Sequence, residues 1–299
     1  MKIFSWTVTN EQRNRSLEQV LRTEYGLSRR QLVRLKKQPG SVLIDGQPAR
    51  VRTSLFPGSH VRIIMAEHLE PVPPEPIPLE IIYEDHDLII INKPAGLVSH
   101  PTKGYTGGTL ANALSYYWQQ KGEARPARLV TRLDKDTSGL VLAAKTAWSH
   151  HRLAQTDIRK EYLAFTRGIP APPQGQITAP IGRDPDNPKR RGIDPEGRAA
   201  LTKYRTLKVG DNLALVRLEP VTGRTHQLRI HMAHIGCPLL DDYLYGTEEG
   251  LVGRTALHAY KLEFAHPQTN RVVHVVAPIT EDFRKLTNLF RPESKPTST

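Results

Sequence analysis

Two stretches are apolar for the length of a buried strand: Leu88 to Ile91, ending at Asn92, and Leu140-Val141-Leu142-Ala143-Ala144. Leu79 to Tyr83, Thr202 to Thr206 and Leu213 to Leu218 have strand patterning of their own. Lys160-Glu161-Tyr162-Leu163-Ala164-Phe165 alternates, so a strand there puts Lys160, Tyr162 and Ala164 on one face. Helical spacing appears at Leu17, Val20 and Leu21, from Leu110 to Gln119, from Ala147 to Thr156, and at Leu228, Met232 and Ile235. For the last of these, Thr225 reads as the N-cap and Gly236 as the stop.

The first quarter of the chain has its own pattern. Ser28 is placed to cap a helix beginning at Arg29, on which Leu32 and Leu35 pack inward while Arg30, Arg34 and Lys37 recur as a basic stripe. Val42-Leu43-Ile44, an Asp45-Gly46 turn and Ala49-Arg50-Val51 read as a hairpin, and Val61 to Met65 as a last strand. Pro71, Pro73, Pro74, Pro76 and Pro78 then follow within eight residues. Proline fixes φ and removes a donor, so this is a semi-rigid extended linker. The expected organisation is an N-terminal unit over 12–68, a linker over 69–78, a larger domain over 79–290 and a disordered tail over 291–299.

Charge sharpens that division. Residues 12 to 66 carry 11 Lys and Arg against 3 Asp and Glu, which is +8 of the formal +12 of the 299-residue chain. A polyanionic partner fits this concentration, and so does a solvated helix face. The single cysteine, Cys237, excludes an intrachain disulfide framework. No apolar run is long enough to span a bilayer and residues 1–10 lack the pattern of a signal peptide, so a cytoplasmic location is expected. No phosphate-binding glycine loop or dinucleotide fingerprint occurs, and no cofactor is expected.

Candidate chemistry centres on Thr131-Arg132-Leu133-Asp134-Lys135-Asp136-Thr137-Ser138-Gly139-Leu140. Turn residues before an apolar strand place Asp134 on a structured loop at the strand's mouth, between Arg132 and Lys135. A carboxylate so placed can serve as nucleophile or base; the loop also reads as an ordinary Asx turn with solvated charges. His226, His231 and His234 invite a zinc reading. However, His226 and His231 lie about 140° apart on a helix, and no further ligand motif completes a site, so no metal is expected.

The stretch R-L-D-x-D-T-S-G-L followed by an apolar strand resembles the central motif of the RluA-type pseudouridine synthases. Four further segments agree in order: Tyr83 to Leu97 with His100-Pro101, Lys160-x-Tyr162, Gly223-Arg224-Thr225-His226-Gln227-Leu228-Arg229-x-His231, and Asp241-Asp242-x-x-Tyr245-Gly246. The family often has His where this chain has Thr131. The resemblance implies an α+β fold: a catalytic domain around a mixed, mainly antiparallel sheet. It also implies isomerisation of uridine to pseudouridine in structured RNA, either ribosomal large-subunit RNA or tRNA, without metal or cofactor. By the same match Asp134 is the nucleophile, Tyr162 stacks on uracil, Leu228 walls the pocket and Arg229 pairs with Asp134. Arg132 meets the RNA backbone or fills the space of the flipped nucleotide.

Two short helices and small strands at the N-terminus resemble the S-four RNA-binding domain. That likeness assigns RNA contacts to Arg29, Arg30, Arg34 and Lys37. The chain is expected to act as a monomer. Two rival readings use the same residues: a non-catalytic RNA-binding protein, and a hydrolase in which Asp134 works with water and uracil is released.

Overall fold

The computed structural model of the protein describes residues 2–65, 72–102, 104–123, 125–184, 187, 190–246, 248–288 and 290. The expected tail over 291–299 and the start of the expected linker lie outside the described residues.

The N-terminal unit comprises β1 (Lys2–Thr7), α1 (Leu17–Thr23), α2 (Arg29–Lys37), β2 (Val42–Ile44), β3 (Gln47–Pro48) and β4 (His60–Met65). Its sheet has the order β1-β4-β2-β3, antiparallel throughout. Ser16 and Ser28 start the two helices with capping boxes: Ser28 Oγ accepts from the Gln31 amide at 3.2 Å, and Gln31 Oε1 accepts from the Ser28 amide at 2.7 Å. Asp45 and Gly46 both have positive φ, 52° and 78°, as the tight hairpin turn requires. Leu32 and Leu35 are buried, whereas Arg29 and Lys37 are exposed and Arg34 is half-buried. One boundary differs from the sequence expectation. The unit begins at β1, ahead of residue 12, because Phe4, Trp6 and Val8 alternate inward and β1 pairs with β4.

The larger unit contains β5 (Glu80–Glu84), β6 (Leu88–Lys93), α3 (Leu110–Gln120), β7 (Arg128–Leu129), β8 (Ser138–Ala144), α4 (Ala147–Gln155) and β9 (Arg159–Arg167). It continues with β10 (Gln174–Thr178), β11 (Ile181–Arg183), β12 (Arg191–Ile193), β13 (Leu201–Val209), β14 (Leu213–Pro220) and α5 (Gln227–His234). It closes with β15 (Leu257–Ala265), β16 (Val272–Val276) and α6 (Glu281–Thr287). The main sheet runs β10-β13-β14-β9-β15-β8-β6-β5, with β16 added on β15 and β7 on β8. Among the strand-to-strand pairings of the described residues, only β15 with β8 is parallel. The fold is therefore mixed α and β around a mainly antiparallel sheet.

The continuous apolar runs are explained by the layers above and below them. Leu88, Ile90, Leu140 and Leu142 face a core that includes Leu153 of α4, while Ile89, Ile91, Val141 and Ala143 face Leu110, Leu114 and Trp118 of α3. With both faces of β6 and β8 covered, no position is left to alternate. This rigid pair carries the loop that ends at β8.

Helix α4 also faces the N-terminal unit. Trp148 belongs to that unit's core, its ring edge-on to Phe4 at 5.5 Å and its indole N–H donating to Tyr25 O at 2.7 Å. Replacing it removes an aromatic buried to 5% exposure and leaves the Tyr25 carbonyl without its indole donor. Trp148→Ala is therefore expected to destabilise the N-terminal unit by about 3–5 kcal/mol in urea denaturation. An unchanged midpoint would show that this ring is not a shared anchor.

Candidate active site

Residues 132–137 form the loop that enters β8, and its backbone is held from three sides. Ser99 Oγ accepts from Leu133 N at 3.1 Å and donates to Leu133 O at 2.6 Å. Lys93 at the end of β6 has no exposed surface, and its ammonium donates to Pro94 O, Leu97 O and Lys135 O at 2.9, 2.8 and 3.0 Å. Three carbonyls thus take all three of its hydrogens, and burial, partly offset by Asp134 and Asp136, draws its pKa down to about 7. Arg254 donates to Asp136 O at 3.2 Å and is itself held by Asp282 of α6 at 2.6 Å. Thr131, where the resembling family often has His, turns its hydroxyl inward to accept from Leu142 N at 2.9 Å.

The loop presents Asp134 to an open pocket of about 590 Å³. Its carboxylate is one-third exposed, at 32%. Tyr162 and Lys160 enter the pocket from one face of β9, and Leu228 and Arg229 from the first turn of α5. Arg132 lines it at the exposed edge and His100 at the half-buried one. The four catalytic candidates from three separate motifs are therefore brought together. The basic residues of α2 belong to the other unit and do not line this pocket; of Arg30 only the backbone falls within the described structure.

Arg229 reaches Asp134 with Nη1 3.7 Å from Oδ2. Its close partner is a different carboxylate: Nε and Nη2 donate to the two oxygens of Asp242 at 2.7 and 2.6 Å. The sequence expectation paired Arg229 with Asp134 alone, because a motif match names a partner but cannot count the sides of a guanidinium. Burial opposes the charge on Arg229. The hydrogen bonds and charge of Asp242, joined by Asp134, nevertheless hold its pKa above the ordinary arginine value.

The Tyr162 pKa is raised too: burial first, and the nearby Asp134 charge second, push it up, so its hydroxyl stays protonated. Lys160 is drawn below the usual lysine value by burial, with Asp157 opposing. His226 replaces the expected Thr225 as the residue before α5 and has left-handed backbone, φ 57°. Its Nδ1 meets the Tyr245 hydroxyl at 2.9 Å, and that hydroxyl also accepts from Arg191 N at 3.0 Å. The His226 pKa is lowered by burial despite the attraction of Asp134.

His231 is occupied structurally: Nε2 lies 3.0 Å from Ala179 O and Nδ1 2.9 Å from Thr202 Oγ1. Among the described residues no group of three or more His, Cys, Asp and Glu is arranged to hold a metal ion, and no helix is long and apolar enough to cross a membrane. Cys237 is buried, and burial pushes its thiol pKa up.

Lys93, Ser99, Asp242 and Arg254 are site residues that motif reading did not single out for a role. A lysine ending an apolar strand was a legible signal for Lys93. Arg254 lies between Gly253 and Thr255, in a stretch with no local pattern to mark it.

A carboxylate, a guanidinium and a phenol converging on one cleft define a catalytic pocket rather than a flat binding face. The profile of the RNA pseudouridylate synthase family matches residues 87–234. An RNA pseudouridine synthase of Bacillus subtilis (strain 168), YjbO, itself uncharacterised, is 36% identical over 269 residues, covering 88% of this chain and 95% of its own. The ribosomal large subunit pseudouridine synthase D of Haemophilus ducreyi is 39% identical over 264 residues, covering 82% and 81%. Among solved structures, human RNA pseudouridylate synthase domain containing 4 superposes with a TM-score of 0.57 at 25% identity, covering 70% of this chain and 92% of its own. The chain belongs to the RNA pseudouridine synthase family. It is an isomerase acting on uridine in RNA.

Proposed function

We propose that the protein converts specific uridines of large-subunit ribosomal RNA to pseudouridine, with Asp134 as nucleophile. The observation that carries the mechanism is the convergence of Asp134, Tyr162, Leu228 and Arg229 on one pocket. The choice of RNA rests on relatives named for the ribosomal large subunit that align over most of both chains.

The target uridine is turned out of its stack into the pocket, at a cost of a few kcal/mol that phosphate contacts offset. Asp134 attacks C1′ as the N1–C1′ bond breaks, and uracil stays between Tyr162 and Leu228. Uracil then turns, C5 bonds to C1′ as the Asp134–C1′ ester bond breaks and releases the carboxylate, the C5 proton leaves and N1 gains one. Atoms and electrons balance with no redox step. Tyr162 offers the stacking face. Arg132, exposed beside Asp134, meets the backbone or the gap left by the flipped nucleotide.

We assign the N-terminal unit to RNA positioning, through Arg29, Arg30, Arg34 and Lys37. Lys36 is set apart by its ion pair with Glu18 at 2.9 Å. Because Trp148 is part of that unit's core, point substitutions test it more cleanly than truncation. If each of Arg29, Arg34 and Lys37 neutralises a phosphate, changing all three to Gln should lower the slope of log affinity against log salt by ~0.7–0.9 per residue. An unchanged slope would mean that the stripe is only a solvated face.

The target is tested by mapping pseudouridines in total RNA from cells with and without the gene. Loss of sites in large-subunit RNA is expected; loss in tRNA instead would overturn the choice of substrate.

A further inference from the structure

The mouth of the pocket carries two exposed tyrosines that the reaction does not use. Tyr105 is 45% exposed and Tyr243 54%. Single exposed aromatics are common on protein surfaces, so exposure alone has no meaning. What sets these two apart is their placement. They stand on separate loops, and both act on Lys135, the residue after Asp134.

Each ring is carried by a backbone that is tied down. Tyr105 belongs to the loop over 99–108. Thr102, which lines the pocket, and Tyr105 exchange backbone hydrogen bonds of 2.9 Å in both directions, closing the tip of that loop. Its base is held as well: Leu110 N donates to Val98 O at 2.8 Å, and Gly108 N to the two carboxylate oxygens of Glu75 at 3.1 and 2.9 Å. Lys135 reaches across to it, its ammonium donating to the Tyr105 hydroxyl at 3.3 Å and lying 5.4 Å from the ring centre. Tyr243 lines the pocket itself, from the segment between α5 and β15. The amides of Leu244 and Tyr245 beside it are fixed by the buried Asp242 carboxylate at 3.1 and 3.2 Å. Its ring centre lies 5.6 Å from the guanidinium carbon of Arg229. Lys135 is held above the ordinary lysine pKa first by its bond to Tyr105, with Asp136 and Tyr243 acting in the same direction, so it stays charged.

Exposed rings beside fixed cations match one ligand chemistry. A ring face takes a nucleobase of any identity, and a lysine or arginine takes the phosphates that join the bases. Arg132, exposed on the same rim, adds a second cation to Lys135. A base stacked inside a helix offers no face to such a ring. The neighbours of a nucleotide that has been turned out do, because each has just lost a stacking partner.

We propose that Tyr105 and Tyr243 form a base-stacking subsite for the nucleotides that flank the flipped uridine. This rests on the uridine being turned out into the pocket, and it makes RNA with unpaired nucleotides beside the target the preferred substrate.

The test uses the full chain and a stem-loop RNA whose unpaired loop holds a uridine that the protein modifies. Tyr105→Leu and Tyr243→Leu keep apolar bulk and remove the ring, and at exposed positions the melting temperature should hold. Each should weaken binding by about tenfold, within the range for loss of one base–aromatic stack. The single-turnover rate at saturating RNA should stay within about threefold. The slope of log affinity against log salt should not change, because no phosphate contact is lost. Tyr105→Phe and Tyr243→Phe keep the ring and should bind like the parent. The deciding probe is the same RNA with abasic residues on both sides of the uridine. The parent should bind it at least about tenfold more weakly, and the Leu variants should bind it no more weakly than the parent does. A duplex containing the same uridine should bind parent and Leu variants alike.

Parent-like binding of the intact stem-loop by both Leu variants would overturn the proposal. So would an equal loss on the abasic RNA or the duplex, since the tyrosines would then shape the loops rather than stack. Phe variants as weak as the Leu variants would assign the contact to the hydroxyls and overturn it too. The full pattern on a tRNA stem-loop, with no modification of large-subunit RNA, would instead correct the substrate proposed above and leave the subsite standing.

Discussion

Asp134→Asn is expected to abolish pseudouridine formation while leaving RNA affinity within about tenfold of the parent. The substitution is nearly isosteric, and the loop does not depend on the side chain for its shape. Its carbonyls and amides are held by Lys93, Ser99 and Arg254, and Asp134 contributes only its backbone oxygen, to Thr137 N at 3.3 Å. What is lost is the anion facing Arg229 and the nucleophilic oxygen. An amide cannot form the ester with C1′, so no partial rate is expected beyond contamination. The measurement is pseudouridine content after prolonged incubation with target RNA, beside a binding curve for the same preparation. Parent-like turnover by a folded variant would remove Asp134 from the mechanism.

Gly139→Ala is expected to be the most damaging single methyl addition near the site. Gly139 has φ 109°, a conformation that side chains with a Cβ rarely adopt. A Cβ built there also overlaps the backbone of Ala259, its register partner across the parallel β8–β15 pair. Neither obstacle is a flexible side chain, so relief requires β8 and β15 to separate at the point where the Asp134 loop enters the sheet. A loss of about 3–5 kcal/mol is expected, the upper range for point substitutions and a large share of ordinary domain stability. Urea denaturation measures it. A loss below about 1 kcal/mol would mean that the strands part without cost.

The sequence made the framework legible where local patterning was strong. The apolar runs of β6 and β8, the Ser28 cap and the Asp45-Gly46 turn each carry their own signal within a few residues. The alternation of Phe4, Trp6 and Val8 was equally readable, and passing over it misplaced the start of the N-terminal unit. Other features depend on contacts between distant parts of the chain. Nothing local marks Trp148 of α4 as a core residue of a unit more than a hundred positions earlier, because that role comes from docking. The same holds for Arg254 reaching the Asp136 carbonyl. At the site, motif resemblance put Asp134, Tyr162, Leu228 and Arg229 into one list, and the fold brings them into one pocket. It could not reveal that Asp242, rather than Asp134, takes the two strong hydrogen bonds of Arg229.

The central claim is that the pocket isomerises uridine and keeps uracil between bond breaking and bond making. Purified protein incubated with ribosomal RNA carrying tritium at uridine C5 tests it most directly. The account predicts release of one tritium to water for each pseudouridine formed, with no free uracil and no release by Asp134→Asn. Free uracil in the supernatant, or tritium release that Asp134→Asn sustains equally, would contradict it.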